Sequence, residues 1–116
     1  MIMPKIAENR KERRYPSIAH ARIPELFTGD ALLRDISITG CRIECTMHID
    51  IKENARYTIT VLPEKSAGVD QFDLIADCKW FHFSSNSYSA GFTIIKSPGK
   101  KDFEKYVDYL SWRQTA

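Results

Sequence analysis

Short runs in which apolar and polar residues alternate occupy most of the chain after residue 17. From Cys41 to Thr46, the small and apolar side chains would lie on one face and those of Arg42 and Glu44 on the other, because successive strand side chains point to opposite faces. Turn-forming residues separate such runs, so the pattern predicts an antiparallel sheet or a small barrel. Six runs are strand-sized: Ile18 to Phe27, Ala31 to Ile36, Cys41 to Thr46, Arg56 to Leu62, Phe72 to Phe83, and Tyr88 to Ile95.

The period of the apolar residues changes after the segment Ser97 to Gly99. Phe103, Val107 and Leu110 recur at helical spacing. We therefore expect a C-terminal helix from about Lys101 to Arg113, whose apolar stripe covers one end of the barrel. The predicted fold class is mainly β, a six-stranded antiparallel β-barrel with a C-terminal α-helix.

Length and charge distribution divide the chain into an arm and a body. A chain of 116 residues, 43% of them hydrophobic, is long enough for one core and too short for two. Residues 1 to 14 contain five basic and two acidic residues, whereas the remainder contains twelve basic and thirteen acidic ones. We expect residues 1–16 to form a flexible basic arm and residues 17–116 to form the barrel with its helix.

Membrane insertion and secretion are not indicated by the sequence. No stretch approaches the ~18 consecutive apolar residues of a membrane-spanning helix. The segment Met1 to Lys5 is not followed by the apolar run of a signal peptide. The three cysteines, Cys41, Cys45 and Cys78, are an odd number without the spacing of a disulfide framework. We therefore expect a cytoplasmic protein without a membrane span.

Residue types that often carry catalysis or bind metals do not form a recognisable set. Cys41, Cys45 and His48 could be imagined as metal ligands, but the chain has no C-x-x-C pair, and burial as small apolar side chains explains the cysteines better. His20 and His82 lie in predicted strands without a nucleophilic serine or cysteine turn beside them. We expect no metal, no cofactor and no enzymatic activity.

A cluster of arginines lies in the basic arm. Arg10, Arg13 and Arg14 supply planar guanidinium groups that match phosphate oxygens. A charge run of this kind can also be a solvated terminus with no ligand. The cluster is a more specific indication of a phosphate ligand when it is combined with a second motif about twenty residues later.

That second motif is the hexapeptide from Asp35 to Gly40, which supplies a carboxylate, a hydroxyl and a glycine turn. Strand alternation would place Asp35 and Ser37 on one face. Asp35 could accept hydrogen bonds from guanine N1–H and N2–H, and Ser37 could contact a base or a phosphate. Gly40 could take a positive φ at the turn. The same residues could instead form an ordinary Asp-initiated hairpin turn.

Together, the Arg-x-x-x-Arg spacing of Arg10 and Arg14 and the complete Asp-x-Ser-x-x-Gly pattern resemble the motifs of a PilZ domain. The resemblance extends from about Arg10 to the terminal helix and includes Ala90-Gly91-Phe92 in the last strand. It implies a PilZ-like barrel that acts as a bacterial signalling receptor for cyclic di-GMP. In such a receptor the ligand, often an intercalated dimer, lies against the barrel face while the arm folds over it. An unidentified downstream protein would then respond.

One position departs from the family pattern. A further arginine usually stands directly before the first strand of a PilZ domain, and this chain has Ser17 there, after Arg13 and Arg14. The resemblance therefore implies that one phosphate or base contact is missing or is supplied by Arg10. Such a loss would weaken affinity by about tenfold or more, since ~1.4 kcal/mol is a factor of ten.

Two further side chains are candidates for ligand contact. Some PilZ domains place an aromatic residue on the barrel wall where guanine stacks, and Trp80 resembles it in position. Trp80 could also be half-buried under the helix. Arg42, on the strand after Gly40, could reach a phosphate.

Two other functions are compatible with the sequence. A PilZ-like protein–protein adaptor that has lost nucleotide binding is favoured by Ser17, whereas the intact set of Asp35, Ser37 and Gly40 speaks against it. A small nucleic-acid-binding barrel would use the basic arm, but the slightly acidic composition beyond residue 14 disfavours it. We therefore expect no nucleic-acid partner.

Overall fold

The structure, a computed structural model, describes residues 13–115. They form seven strands, a short 3₁₀ turn (Lys65–Ala67) and one α-helix. The strands are β1 (Tyr15–Pro16), β2 (His20–Arg22), β3 (Ala31–Ile36), β4 (Gly40–Cys45), β5 (Arg56–Leu62), β6 (Phe72–Ser84) and β7 (Ser87–Lys96), and the helix is α1 (Lys100–Thr115).

Antiparallel pairing closes six of the strands into a barrel. The order around the barrel is β2, β5, β6, β7, β4 and β3, and the pairing of β3 with β2 completes the circle. The short β1 adds to β3 as an extra strand. The predicted fold class, a mainly β six-stranded antiparallel barrel with a C-terminal helix, is confirmed.

Alternation along the strands builds the core. In β4 the side chains of Cys41, Ile43 and Cys45 are buried, as predicted. Cys78 of β6 is also buried, and all three cysteines are free thiols. Burial raises the pKa of the Cys41 thiol to about 12, so this side chain remains protonated at neutral pH and packs as a small apolar group.

The helix α1 packs against β1 and β6 and covers one end of the barrel, as predicted. Its buried side chains include Phe103, Tyr106 and Leu110. The ring of Phe103 lies 5.7 Å from that of Phe72 at the start of β6, measured between ring centroids. Within residues 13–115, no helix has the length and apolar character that crossing a membrane requires.

The first part of the described chain differs from the predicted elements. Tyr15 and Pro16, which the charge pattern places in the arm, pair with the end of β3. The run predicted from Ile18 to Phe27 contains only the short β2, because the chain turns after Ile23, whose carbonyl accepts two backbone N–H groups of that turn. The described end of the arm is thus part of the sheet.

Candidate functional site

A β-bulge in β3 turns Asp35 outward. The pairing of β3 with β4 shifts its register between Leu33 and Asp35. Arg34 and Asp35 both face away from the core although they are adjacent, and Ile36 then returns to the core. Bulges commonly re-aim side chains in this way. The bulge therefore places the Asp35 carboxylate on the outer wall of the barrel, beside the described end of the arm.

Asp35 forms ion pairs with two arginines from different parts of the chain. Its Oδ1 lies 3.4 Å from Nη1 of Arg14, the residue before β1. Its Oδ2 accepts a hydrogen bond of 3.0 Å from Nε of Arg42 in β4. The Asp35 side chain is 18% exposed, against 40% for Arg14 and 39% for Arg42. One carboxylate therefore orients two guanidinium groups, each of which keeps further N–H donors for an anion.

Asp35 and Arg42 belong to a row of residues that crosses four strands of the barrel. Asp35 of β3 pairs with Arg42 of β4, and Arg42 pairs with Gly91 of β7. Gly91 pairs in turn with Trp80 of β6. Directly paired residues share one face of a sheet, and three strand spacings of ~4.8 Å amount to about 14 Å. These four residues are termed the outer row.

Gly91 provides the space that Trp80 occupies on the outer row. A Cβ atom at Gly91 would collide with Nε1 and Cε2 of the Trp80 indole. The indole therefore lies against the backbone of β7, and it is 40% exposed. Of the two positions considered for Trp80, the barrel wall is the one observed. The role of Gly91 was not predicted, although a glycine paired across strands with a large aromatic residue is the signal that could have indicated it.

Gly40 has a different role from the predicted turn glycine. It is the first residue of β4, and its φ is not in the left-handed region. A Cβ atom at Gly40 would lie 2.8 Å from the backbone oxygen of Phe92 and 3.0 Å from Nη2 of Arg14. The expectation of a positive φ is therefore wrong. Glycine is required here because the neighbouring strand and the Arg14 side chain approach so closely.

Ser37 lies inside the turn between β3 and β4 and is 1% exposed. Its Oγ accepts hydrogen bonds of 3.1 Å from the backbone N–H groups of Thr39 and Gly40. Because β3 ends at Ile36, strand alternation no longer places Ser37 on the face that carries Asp35. The hydroxyl holds the turn, and this geometry does not support the expected direct contact with a base or a phosphate.

Of the three arginines predicted to bind phosphate, the structure describes Arg13 and Arg14. The guanidinium carbon of Arg13 lies 5.6 Å from the centroid of the Tyr15 ring, which is a cation–π distance. Arg14 lies against Gly40 and Asp35. Arg10 lies outside the described residues.

Ser17, at the position where the resembling family has an arginine, is buried. Its Oγ accepts a hydrogen bond of 2.9 Å from the N–H of Ala19 and lies 2.7 Å from the hydroxyl oxygen of Tyr106. Tyr106 donates a hydrogen bond of 2.7 Å to Glu64, which also pairs with Arg113 at 3.4 Å. Ser17 therefore connects the chain after β1 to α1, so its place in the molecule is structural.

The outer row and Arg14 carry side chains that are suited to binding a ligand. The guanidinium groups of Arg42 and of the neighbouring Arg14 suit phosphate oxygens, the carboxylate suits the N–H edge of guanine, and the indole suits a base that stacks. Among residues 13–115, no group of three or more His, Cys, Asp or Glu side chains could hold a metal ion.

A comparison with solved structures finds a similar fold. No family model and no curated protein sequence matches the chain. A similar solved structure is that of the Bacillus subtilis inhibitor of motility, MotI/DgrA, with a TM-score of 0.70 and 14% sequence identity. The match covers 88% of this chain and 49% of the other, so this chain spans about half the length of that protein. At this identity the likeness concerns the fold, and it fits the PilZ-like barrel predicted from the sequence.

Proposed function

We propose that this protein is a non-enzymatic receptor for cyclic di-GMP that regulates a separate protein. The observation that carries the proposal is the outer row together with Arg14, because one strip of barrel wall offers guanidinium groups, a carboxylate and a partly exposed indole. A guanine dinucleotide offers a complementary group to each of them: phosphate oxygens, the N–H edge of guanine and a base that stacks. The description of MotI/DgrA as an inhibitor of motility supports a regulatory role for this fold.

In this proposal the outer row and Arg14 contact both the phosphates and the bases of the ligand. Arg14 and Arg42 bind the phosphate oxygens, and Asp35 accepts N1–H and N2–H of a guanine. A carboxylate has about four lone-pair sites, so Asp35 can keep an arginine in place while it accepts the base. The exposed part of the Trp80 indole stacks on a guanine ring.

The arm supplies the remaining contacts and the switch. Arg10 and Arg13 fold over the phosphates when ligand is present, while Ser37 and Gly40 hold the turn beside them. The arm then presents a surface to the partner protein that is absent without ligand. Ser17 supports separate roles for the arm and the barrel, because its hydrogen bond to Tyr106 of α1 fixes the point where the arm joins the barrel.

Isothermal titration of the protein with cyclic di-GMP, with GTP as the control ligand, tests this function. We expect saturable binding at micromolar affinity or tighter, with one or two ligands bound per chain, and no comparable heat with GTP. Absence of both heat and thermal stabilisation at high ligand concentration would contradict the proposal.

Replacement of Trp80 by leucine is expected to weaken cyclic di-GMP binding by about 5- to 150-fold, because stacking of a base on an aromatic side chain contributes ~1–3 kcal/mol. Titration calorimetry measures the change in Kd. The matched control is Trp112→Leu, which removes a tryptophan that is 65% exposed on α1 and lies outside the outer row. Equal affinities for both variants and the wild type would show that no base stacks on Trp80.

A protein–protein adaptor without nucleotide binding is the second candidate function. Ser17 favours it, since a buried serine bonded to α1 replaces the arginine that the family resemblance leads us to expect. The calorimetric titration separates the two functions, because an adaptor that has lost nucleotide binding would give no binding heat with cyclic di-GMP.

A further inference from the structure

The second half of β6 extends past the end of β5, and its outer edge pairs with no strand of the described chain. In the described part of the chain, β5 pairs with β6 only from Phe72 to Asp77. The loop before β5 adds backbone hydrogen bonds at Cys78. Beyond it, β7 is the one strand among residues 13–115 that pairs with β6, and all six residues from Lys79 to Ser84 are exposed. This segment is termed the free edge.

The hairpin turn after the free edge determines which backbone groups point outward. Its two central residues, Ser85 and Asn86, have φ values of 52° and 63°, as in a type I′ turn. The residues that flank such a turn exchange backbone hydrogen bonds with each other, and hydrogen-bonded and free positions then alternate along the strand. The N–H and C=O groups of Phe81 and Phe83 therefore point away from β7.

The side chains of the free edge are mostly aromatic. Phe81 and Phe83 lie on one face and are 46% and 53% exposed. The ring of Phe83 contacts that of Tyr88 with 4.6 Å between centroids. Trp80 and His82 lie on the opposite face. An exposed strand edge with large apolar side chains is a template for pairing with another strand.

We propose that the free edge pairs with the free edge of a second copy of this chain, antiparallel and with the twofold axis at His82. In this register Phe81 exchanges backbone hydrogen bonds with Phe83 of the second copy, and Phe83 does so with Phe81 of that copy. Every outward backbone group of the two phenylalanines is thereby paired. The exposed phenyl rings also lie directly opposite each other, which is a favourable cross-strand arrangement.

Other symmetric registers pair fewer of the outward backbone N–H and C=O groups. An axis at Phe81 would pair Phe83 with Lys79 of the second copy, in the irregular part of the strand between Cys78 and Trp80. An axis at Phe83 would carry the pairing into the hairpin turn. The register centred on His82 uses the regular part of the free edge in both copies.

A second copy fits this edge better than a foreign strand. The twofold axis sets each phenylalanine opposite a phenylalanine, and the paired segment from Trp80 to Ser84 contains no Lys, Arg, Asp or Glu with which to select a charged partner. A ribbon of about five residues from each copy buries far less surface than the 1,200–2,000 Å² of a typical stable interface. The dimer should therefore be reversible and depend on protein concentration.

A cysteine trap tests the register directly. His82→Cys would face its own copy at a non-hydrogen-bonded position, where Cα atoms lie about 4.5 Å apart, within the range that a disulfide spans. Ser84→Cys is the matched control, because this exposed residue lies on the same face but opposite Trp80 of the second copy. With oxidised glutathione as oxidant, we expect a covalent dimer of the His82 variant and at least tenfold less of the Ser84 variant.

Sedimentation velocity of the full chain over a range of concentrations provides the second measurement. We expect the wild type to shift from monomer to dimer as its concentration rises, and a variant with both Phe81→Ser and Phe83→Ser to remain monomeric. A wild type that is monomeric throughout, a dimer that persists in the double variant, or equal crosslinking of the two cysteine variants would overturn the proposal.

Discussion

Alanine in place of Asp35 is expected to weaken cyclic di-GMP binding by tenfold or more. The variant loses the acceptor proposed for guanine, and a hydrogen bond to a charged group contributes roughly 1.5–3 kcal/mol, where ~1.4 kcal/mol is a factor of ten. It also releases Arg14 and Arg42, which the carboxylate holds at 3.4 and 3.0 Å. Calorimetric titration of the variant and the wild type at one ionic strength measures the ratio of their Kd values.

Two further variants complete this experiment. Arg14→Ala is expected to lower affinity in the same way, because it removes a proposed phosphate contact. Asp30→Ala is the matched control: Asp30 precedes β3 at its other end and pairs with Arg22 at 2.6 Å, which holds the pKa of that carboxyl below its usual value. We expect Asp30→Ala to bind as the wild type does. Unchanged affinity in both Asp35→Ala and Arg14→Ala would contradict the proposed mechanism.

The largest expected effect on folding is that of Tyr106→Ala. Tyr106 is 0% exposed, and its ring lies 6.0 Å from that of Phe72. Its removal creates a cavity under α1 and leaves Ser17 and Glu64 without their shared partner. Removal of a large aromatic side chain from a core costs about 3–5 kcal/mol, a large part of the 5–15 kcal/mol typical of a domain. Urea denaturation followed by circular dichroism measures the free energy of unfolding.

Tyr106→Phe separates the contribution of the hydroxyl group to stability from that of the ring. It keeps the packing and removes the hydrogen bonds, so we expect a loss of roughly 1–3 kcal/mol. Tyr109→Phe is the matched control, since within residues 13–115 the Tyr109 hydroxyl bonds the exposed Ser66 at 3.2 Å, and its expected effect is within ~0.5 kcal/mol. If Tyr106→Phe were as stable as Tyr109→Phe, the network through Ser17 would contribute no stability.

Several elements follow from local sequence alone. β3 and β5 begin and end at the residues predicted, because turn-forming residues bound each of these β-favouring runs. The helix extends from Lys100 to Thr115, slightly longer than predicted, since apolar spacing marks a helix better than it marks its ends. The segment before Ala31 could not be predicted as well, because Ile23 turns the chain within an apolar run.

The candidate site was only partly predictable. The sequence motifs predict Asp35 and Arg14 as ligand contacts, and the structure brings these two side chains together. The same motif predicts Ser37 beside them, but Ser37 lies inside the turn, because β3 ends at Ile36, the residue before it. The bulge that turns Asp35 outward depends on how β3 pairs with β4, and no local pattern of polar residues indicates it.

The sequence by itself determined the class of fold, the inward-facing cysteines and the covering helix, because these follow from periodicities that involve residues close together in the chain. Only the tertiary structure decided that Asp35, Arg42, Gly91 and Trp80 form one row, since their alignment depends on the registers of three strand pairs in a closed barrel. It also decided that Ser17 contacts Tyr106, which is 89 residues away in the chain. Strand register and barrel closure result from all the pairings together, so they place distant residues side by side in a way that local patterns do not encode.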